Sequence, residues 1–177
     1  MSLINVEKIS VADQQHYPDS LFPLVYASQP NTDSNAVARW IQQYKSKIEA
    51  ELEINGAVLF RGFGVVDDQG FDGFIRAFGW PSFTYEESLS NAVRHNRTEL
   101  VFTANEAPPS VSIFLHHEMA QTPVFPSKLF FFCEQAAVFG GATPICRSDI
   151  LLERLQSEIP NFVAACEEKG IRYSQTM

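Results

Sequence analysis

The chain has 177 residues, with 13 Lys and Arg against 21 Asp and Glu and a formal net charge of −8, a balance that argues against binding a phosphate backbone. Hydrophobic residues make up 45% and charged residues 19%, which is enough apolar material for a core and argues against disorder over most of the length. The longest apolar runs are far too short to span a bilayer, and residues 1–20 hold acids, Gln and Pro where a secretion signal needs an apolar stretch.

Cys133, Cys146 and Cys166 are odd in number, widely spaced and form no CxxC pair, the pattern of ordinary reduced thiols. The expectation is a cytoplasmic protein with no nucleic-acid or membrane partner. Residues 1–177 read as one domain or as part of a larger one.

Taken in order, residues 1–32 are interrupted by Pro18, Pro23 and Pro30, with 21–26 as their apolar patch. They read as a short strand or extended arm lying on a body formed later. Asp33-Ser34-Asn35 are N-cap residues, and Val37, Trp40, Ile41, Tyr44, Ile48 and Leu52 recur at helical steps. A helix is predicted to about residue 54, closed by Asn55-Gly56. A buried strand follows at 57–60, ending at Arg61, which reads as a charge at a strand end. A second helix covers 68–78, capped by Asp67 or Asp68, with Phe71, Phe74, Ile75 and Phe78 on one face.

Residues 83–99 are polar and read as a long loop of the kind that often carries binding residues, with His95 solvated. Strands are predicted at 100–103, through His116 and Glu118, at 129–134, at 142–146 and from 170 to 173. Helices are predicted at 149–155 and 159–169. The coarse class is α+β with an antiparallel core.

The chemistry concentrates in Ile113-Phe114-Leu115-His116-His117-Glu118-Met119. On a strand, His116 and Glu118 share a face and His117 takes the other. An imidazole beside a carboxylate offers two ligands to a divalent metal, and non-haem Fe(II) oxygenases need such a pair plus a second His. With four His and 21 acids in the chain, a His-x-acid triplet arises by chance roughly half a time. A hydrogen-bonded core His is the competing reading of the same residues.

The run from His116-His117-Glu118-Met119 through Pro126, Phe132-Cys133, Gly140-Gly141-Ala142-Thr143-Pro144 and Asp149 resembles the taurine-dioxygenase-like (TauD/TfdA) family. Asn55 to Phe63 is similar to the family's early strand, and Phe71 to Gly79 to its following helix. His-x-Glu in place of the commoner His-x-Asp resembles the subgroup that includes amino-acid hydroxylases of peptide natural-product pathways.

The resemblance implies a double-stranded β-helix (jelly-roll, clavaminate-synthase-like) core with N-terminal helices, and an Fe(II)- and 2-oxoglutarate-dependent hydroxylase. It makes His116 and Glu118 iron ligands and Thr143 a contact of the 2-oxoglutarate carboxylate, while β-propensity alone also explains Thr143. The implied substrate is a small molecule, amino-acid-like or held on a carrier protein.

The family takes a distal His and an Arg from well downstream, whereas no His follows His117, and Arg147 and Arg172 lie outside the family's Arg context. The expectation is therefore an N-terminal portion of the oxygenase domain, incomplete at its C-terminus. The rival is a truncated, non-catalytic relative that acts as a binding or homo-oligomerisation module through uncovered strand edges.

Overall fold

The computed structural model describes residues 4–29, 32–83, 94–104, 108, 110–120 and 122–174. The early chain builds a small sheet against two helices. Strand β1 is Glu7–Lys8, β2 Gln15–Tyr17, β3 Ser20–Phe22 and β4 Leu24–Ala27; helix α1 is Ser34–Asn55, β5 Val58–Arg61 and α2 Asp68–Phe78. The late described chain holds helices α3, Ser148–Glu158, and α4, Pro160–Lys169.

Strand β4 is the middle strand, in the order β1-β4-β5. It pairs antiparallel with β1 and parallel with β5, Leu24 facing Val58 and Ala27 facing Arg61. Of the short strand or extended arm expected at 21–26, the structure has strands, the second of them in the middle of the sheet. Leu24, Val25 and Tyr26 are buried, and their neighbour β5 comes from beyond a 22-residue helix, the long crossover that parallel pairing requires. The expected antiparallel core is corrected accordingly: β4–β5 is parallel. The two-stranded β2–β3 ribbon stands apart, with Gln15 opposite Phe22.

Both early helices form where their end signals place them. The Asp33 carboxylate accepts from Ala36 N at 2.9 Å, satisfying an otherwise orphaned amide. Gly56 ends α1 in the left-handed region, with its N–H on Leu52 O at 2.7 Å. Asp67 caps α2 through Gly70 N at 2.7 Å, and Gly79 closes it.

Val37, Ile41 and Ile48 of α1 meet Phe74, Ala77 and Phe78 of α2 in one core with Leu24, Tyr26 and Phe63. Ile75, expected on the same face as Phe71, Phe74 and Phe78, is half-buried. Aromatic rings fill this core. Phe78 stacks on Trp80 at 4.5 Å and lies 5.4 Å from Phe130. The Tyr26 hydroxyl donates to Glu51, which also takes Lys8 Nζ at 2.8 Å. Burial and the neighbouring Glu51 push the Tyr26 phenol well above its ordinary range. Burial pushes Glu51 up, but the bonds from Lys8 and Tyr26 outweigh it and hold the carboxyl below its ordinary value.

The late chain departs from expectation. Residues 129–134, 142–146 and 170–173 are not strands, and of 100–103 only Phe102 pairs, in an isolated bridge to Asn96. A strand exists only where a neighbour supplies its ladder bonds, and among the described residues none does so for these segments. No closed barrel is present among the described residues. Side chains of this half are correspondingly open, Phe114 at 82% and Phe139 at 97% exposure. The late helices form at the predicted places, α3 starting one residue before and ending three after its predicted span. No helix among the described residues is long and apolar enough to cross a membrane.

Candidate metal centre

The segment carrying His116 and Glu118 has no regular secondary structure over 112–117 and turns at 118–120. It is not a strand, so the face-sharing expected of a β pair is replaced by a different local geometry. The turn is closed by Ala120 N on His117 O at 3.3 Å and by Thr122 N on Met119 O at 3.0 Å. Met119 takes a positive φ of 58° and is buried, which pins the turn to the body of the molecule.

His116 is exposed, and its Nδ1 lies 2.6 Å from Phe114 O. A carbonyl only accepts, so Nδ1 carries the proton, and in the neutral ring Nε2 holds the lone pair. That is the tautomer a metal-ligating histidine adopts when a backbone carbonyl orients it. His117 is committed elsewhere, its Nε2 2.6 Å from the Ser148 hydroxyl at the first residue of α3.

Glu118 is half-buried and meets Arg94, whose Nη2 donates to Glu118 Oε1 at 3.1 Å; the two side chains are only 13% and 20% exposed. The sequence reading leaves Arg94 among the polar residues of a loop. Part of that loop, 84–93, lies outside the described residues.

The described part, 94–103, folds back on itself. Arg97 N reaches Val101 O at 2.8 Å, and Thr103 N reaches His95 O at 2.9 Å. His95 is exposed, with its backbone N–H on Thr103 Oγ1 at 2.9 Å. The segment is fastened to α2 by Arg97–Asp68 at 2.9 Å, by Arg76–Glu99 at 2.8 Å, and by the Thr98 hydroxyl and Arg76 on Asp72. Burial pushes the Asp72 carboxyl up, but the bonds from Arg76 and Thr98 outweigh it and hold the group below its ordinary value.

Thr143 is exposed and follows Gly140 and Gly141, both at positive φ (65° and 70°). A Cβ at Gly141 would lie 2.6 Å from the Ala137 Cβ, so the backbone needs glycine there. Thr143 does not begin a strand. Arg147 is engaged in structure: it pairs with Asp149, donates to Ser20 Oγ at 2.9 Å and covers the Tyr17 ring at 5.2 Å. It thereby ties α3 to the β2–β3 ribbon, a link between residues 127 apart that no local pattern announces. Its guanidinium holds the Asp149 carboxyl down at about 2.

An imidazole lone pair and a carboxylate two residues away fit divalent-metal chemistry. No group of three or more His, Cys, Asp or Glu that could hold a metal occurs among the described residues. The donor set therefore fits two positions of a two-His, one-carboxylate triad.

Residues 18–176 match the model of the taurine catabolism dioxygenase TauD, TfdA family. The chain belongs to that family. It is 38% identical over 173 residues to a clavaminate synthase-like protein of Arabidopsis thaliana, covering 94% of this chain and 52% of the relative. It is 36% identical over 126 residues to the dapdiamide synthesis protein DdaC of Enterobacter agglomerans, covering 71% of this chain and 37% of that protein. The chain thus spans about half the length or less of these relatives.

TauD/TfdA members are non-haem iron oxygenases that generally use Fe(II) and 2-oxoglutarate, and the family implies a jelly-roll fold. The described residues themselves form a mixed α/β structure with few strands.

Proposed function

We propose that this chain is the N-terminal portion of an Fe(II)- and 2-oxoglutarate-dependent hydroxylase, with His116 and Glu118 as two of the iron ligands. The observation that carries the reading is the His116 tautomer: Nδ1 bonded to Phe114 O turns Nε2 into a donor within a segment that matches the TauD/TfdA family. Glu118 would add a carboxylate oxygen, and the Thr143 hydroxyl would donate to a carboxylate of 2-oxoglutarate. A third protein ligand would come from outside the described residues.

When bound, iron and 2-oxoglutarate, with O2 as the oxidant, would supply oxidative decarboxylation coupled to hydroxylation of a substrate C–H bond. The protein's part is to hold the donors in place and keep water from the reacting groups. The substrate class we propose is a small amino-acid-like molecule, free or on a carrier protein, in keeping with a relative named for dapdiamide synthesis.

His116→Ala should abolish Fe(II) binding measured by anaerobic titration, and retained wild-type affinity would remove the assignment. A second reading, a non-catalytic binding or self-associating module, is favoured by the open apolar side chains Phe114, Phe131 and Phe139. A stable dimer at micromolar concentration in sedimentation, with no metal affinity, would select it.

A further inference from the structure

We infer that Arg94 is the positioning residue of Glu118, fixing the carboxylate for metal binding from a platform built on α2. The inference rests on the proposed role of Glu118 as an iron ligand. Its geometric basis is the 3.1 Å bond from Arg94 Nη2 to Glu118 Oε1 between two largely buried side chains.

A glutamate side chain carries three rotatable bonds, and Glu118 sits in a turn with no ladder to define its direction. A guanidinium held in place removes that freedom. A carboxylate has about four lone-pair sites, so accepting from Arg94 leaves it able to ligate.

Arg94 is itself held from two sides. The Asn96–Phe102 bridge and the Thr103–His95 bonds close its segment. The pairs Arg97–Asp68 and Arg76–Glu99 lock that segment to α2. Order passes from a capped, buried helix through a folded-back loop to the metal-binding carboxylate, the outer-shell support that metal sites use to set ligand direction.

The test uses the full 177-residue chain and Mn(II) alone, with free Mn(II) read by its paramagnetic resonance signal and folding checked by circular dichroism. Arg94→Met should weaken Mn(II) binding about tenfold or more, the usual effect of removing such a partner. Arg94→Lys keeps the charge but loses the fork, and should fall between Met and wild type. If the Met variant does not fold, the Lys variant decides alone, with a several-fold loss supporting the inference and none overturning it.

The deciding comparison is made in a Glu118→Gln background, where adding Arg94→Met should change nothing further. A loss of equal size in both backgrounds means that Arg94 is merely structural and overturns the inference. So does unchanged or tighter binding in the Arg94→Met single variant. His116→Ala separates the two levels. If it binds Mn(II) as wild type does, or if wild type shows no binding at all, the iron-ligand reading fails and the Arg94 inference with it. If His116→Ala loses binding while Arg94→Met does not, only the Arg94 inference fails.

Discussion

Replacing Phe78 with Ala, alone and together with Phe130→Ala, asks whether the late segment 129–134 docks on the early core although it is not a strand. Phe78 is 2% exposed and touches Trp80, Phe130, Phe74 and Phe60 at centroid distances of 4.5, 5.4, 5.7 and 6.3 Å. Truncating a buried Phe costs about 3–5 kcal/mol, including the cavity left behind. Phe130 is half-buried, and its truncation should cost about 1–2 kcal/mol by lost apolar burial.

If the two rings touch as described, the double variant should lose less than the sum. The coupling should be about 0.5–1.5 kcal/mol, the usual worth of an aromatic pair beyond its area. Urea unfolding of the four proteins measures this, provided the slopes agree. Costs that add within about 0.3–0.5 kcal/mol would mean that Phe130 does not rest on Phe78, and the docking of the late segment would be refuted.

Gly62→Ala should destabilise by about 2–4 kcal/mol. Its φ of 75° strains any L side chain, at about 1–2 kcal/mol, and the new Cβ would sit 2.2 Å from Ser28 O, displacing the end of β4 from β5. The Ser28 N–Arg61 O bond of 2.8 Å, worth about 1 kcal/mol, would go with it; a thermal midpoint within a degree of wild type would contradict this. Asp72 sets an acid limit. Its folded carboxyl is held below its ordinary value, so its contribution is present above the ordinary Asp pKa of about 3.9. That contribution is lost as pH falls through the lowered folded value. Asp72→Asn should therefore be less stable than wild type at pH 7, and the gap should narrow towards pH 3. A gap of constant size across that range in urea titrations would show that Asp72 is not held ionised by Arg76 and Thr98.

Sequence alone determined what a few neighbouring residues can specify. Asp33 and Gly56, like Asp67 and Gly79, bound their helices because caps act within one turn. Gly140-Gly141 marks a positive-φ stretch suited to glycine, and at Gly141 the nearby Ala137 leaves no room for a Cβ. His116 and Glu118 can be picked out as a donor pair from their types and spacing, and the family from the order of short motifs.

Other outcomes depended on residues far apart in the chain. The segment at 24–27 became the central strand because β5, beyond α1, pairs with it. The segments at 129–134 and 142–146 have the composition of strands but find no ladder partners among the described residues. The Arg94–Glu118 contact, across 24 residues, is written in no local pattern. A cap or a turn is settled by its own backbone within a few residues, whereas strand pairing and a buried ion pair are settled by whichever distant group arrives to satisfy them.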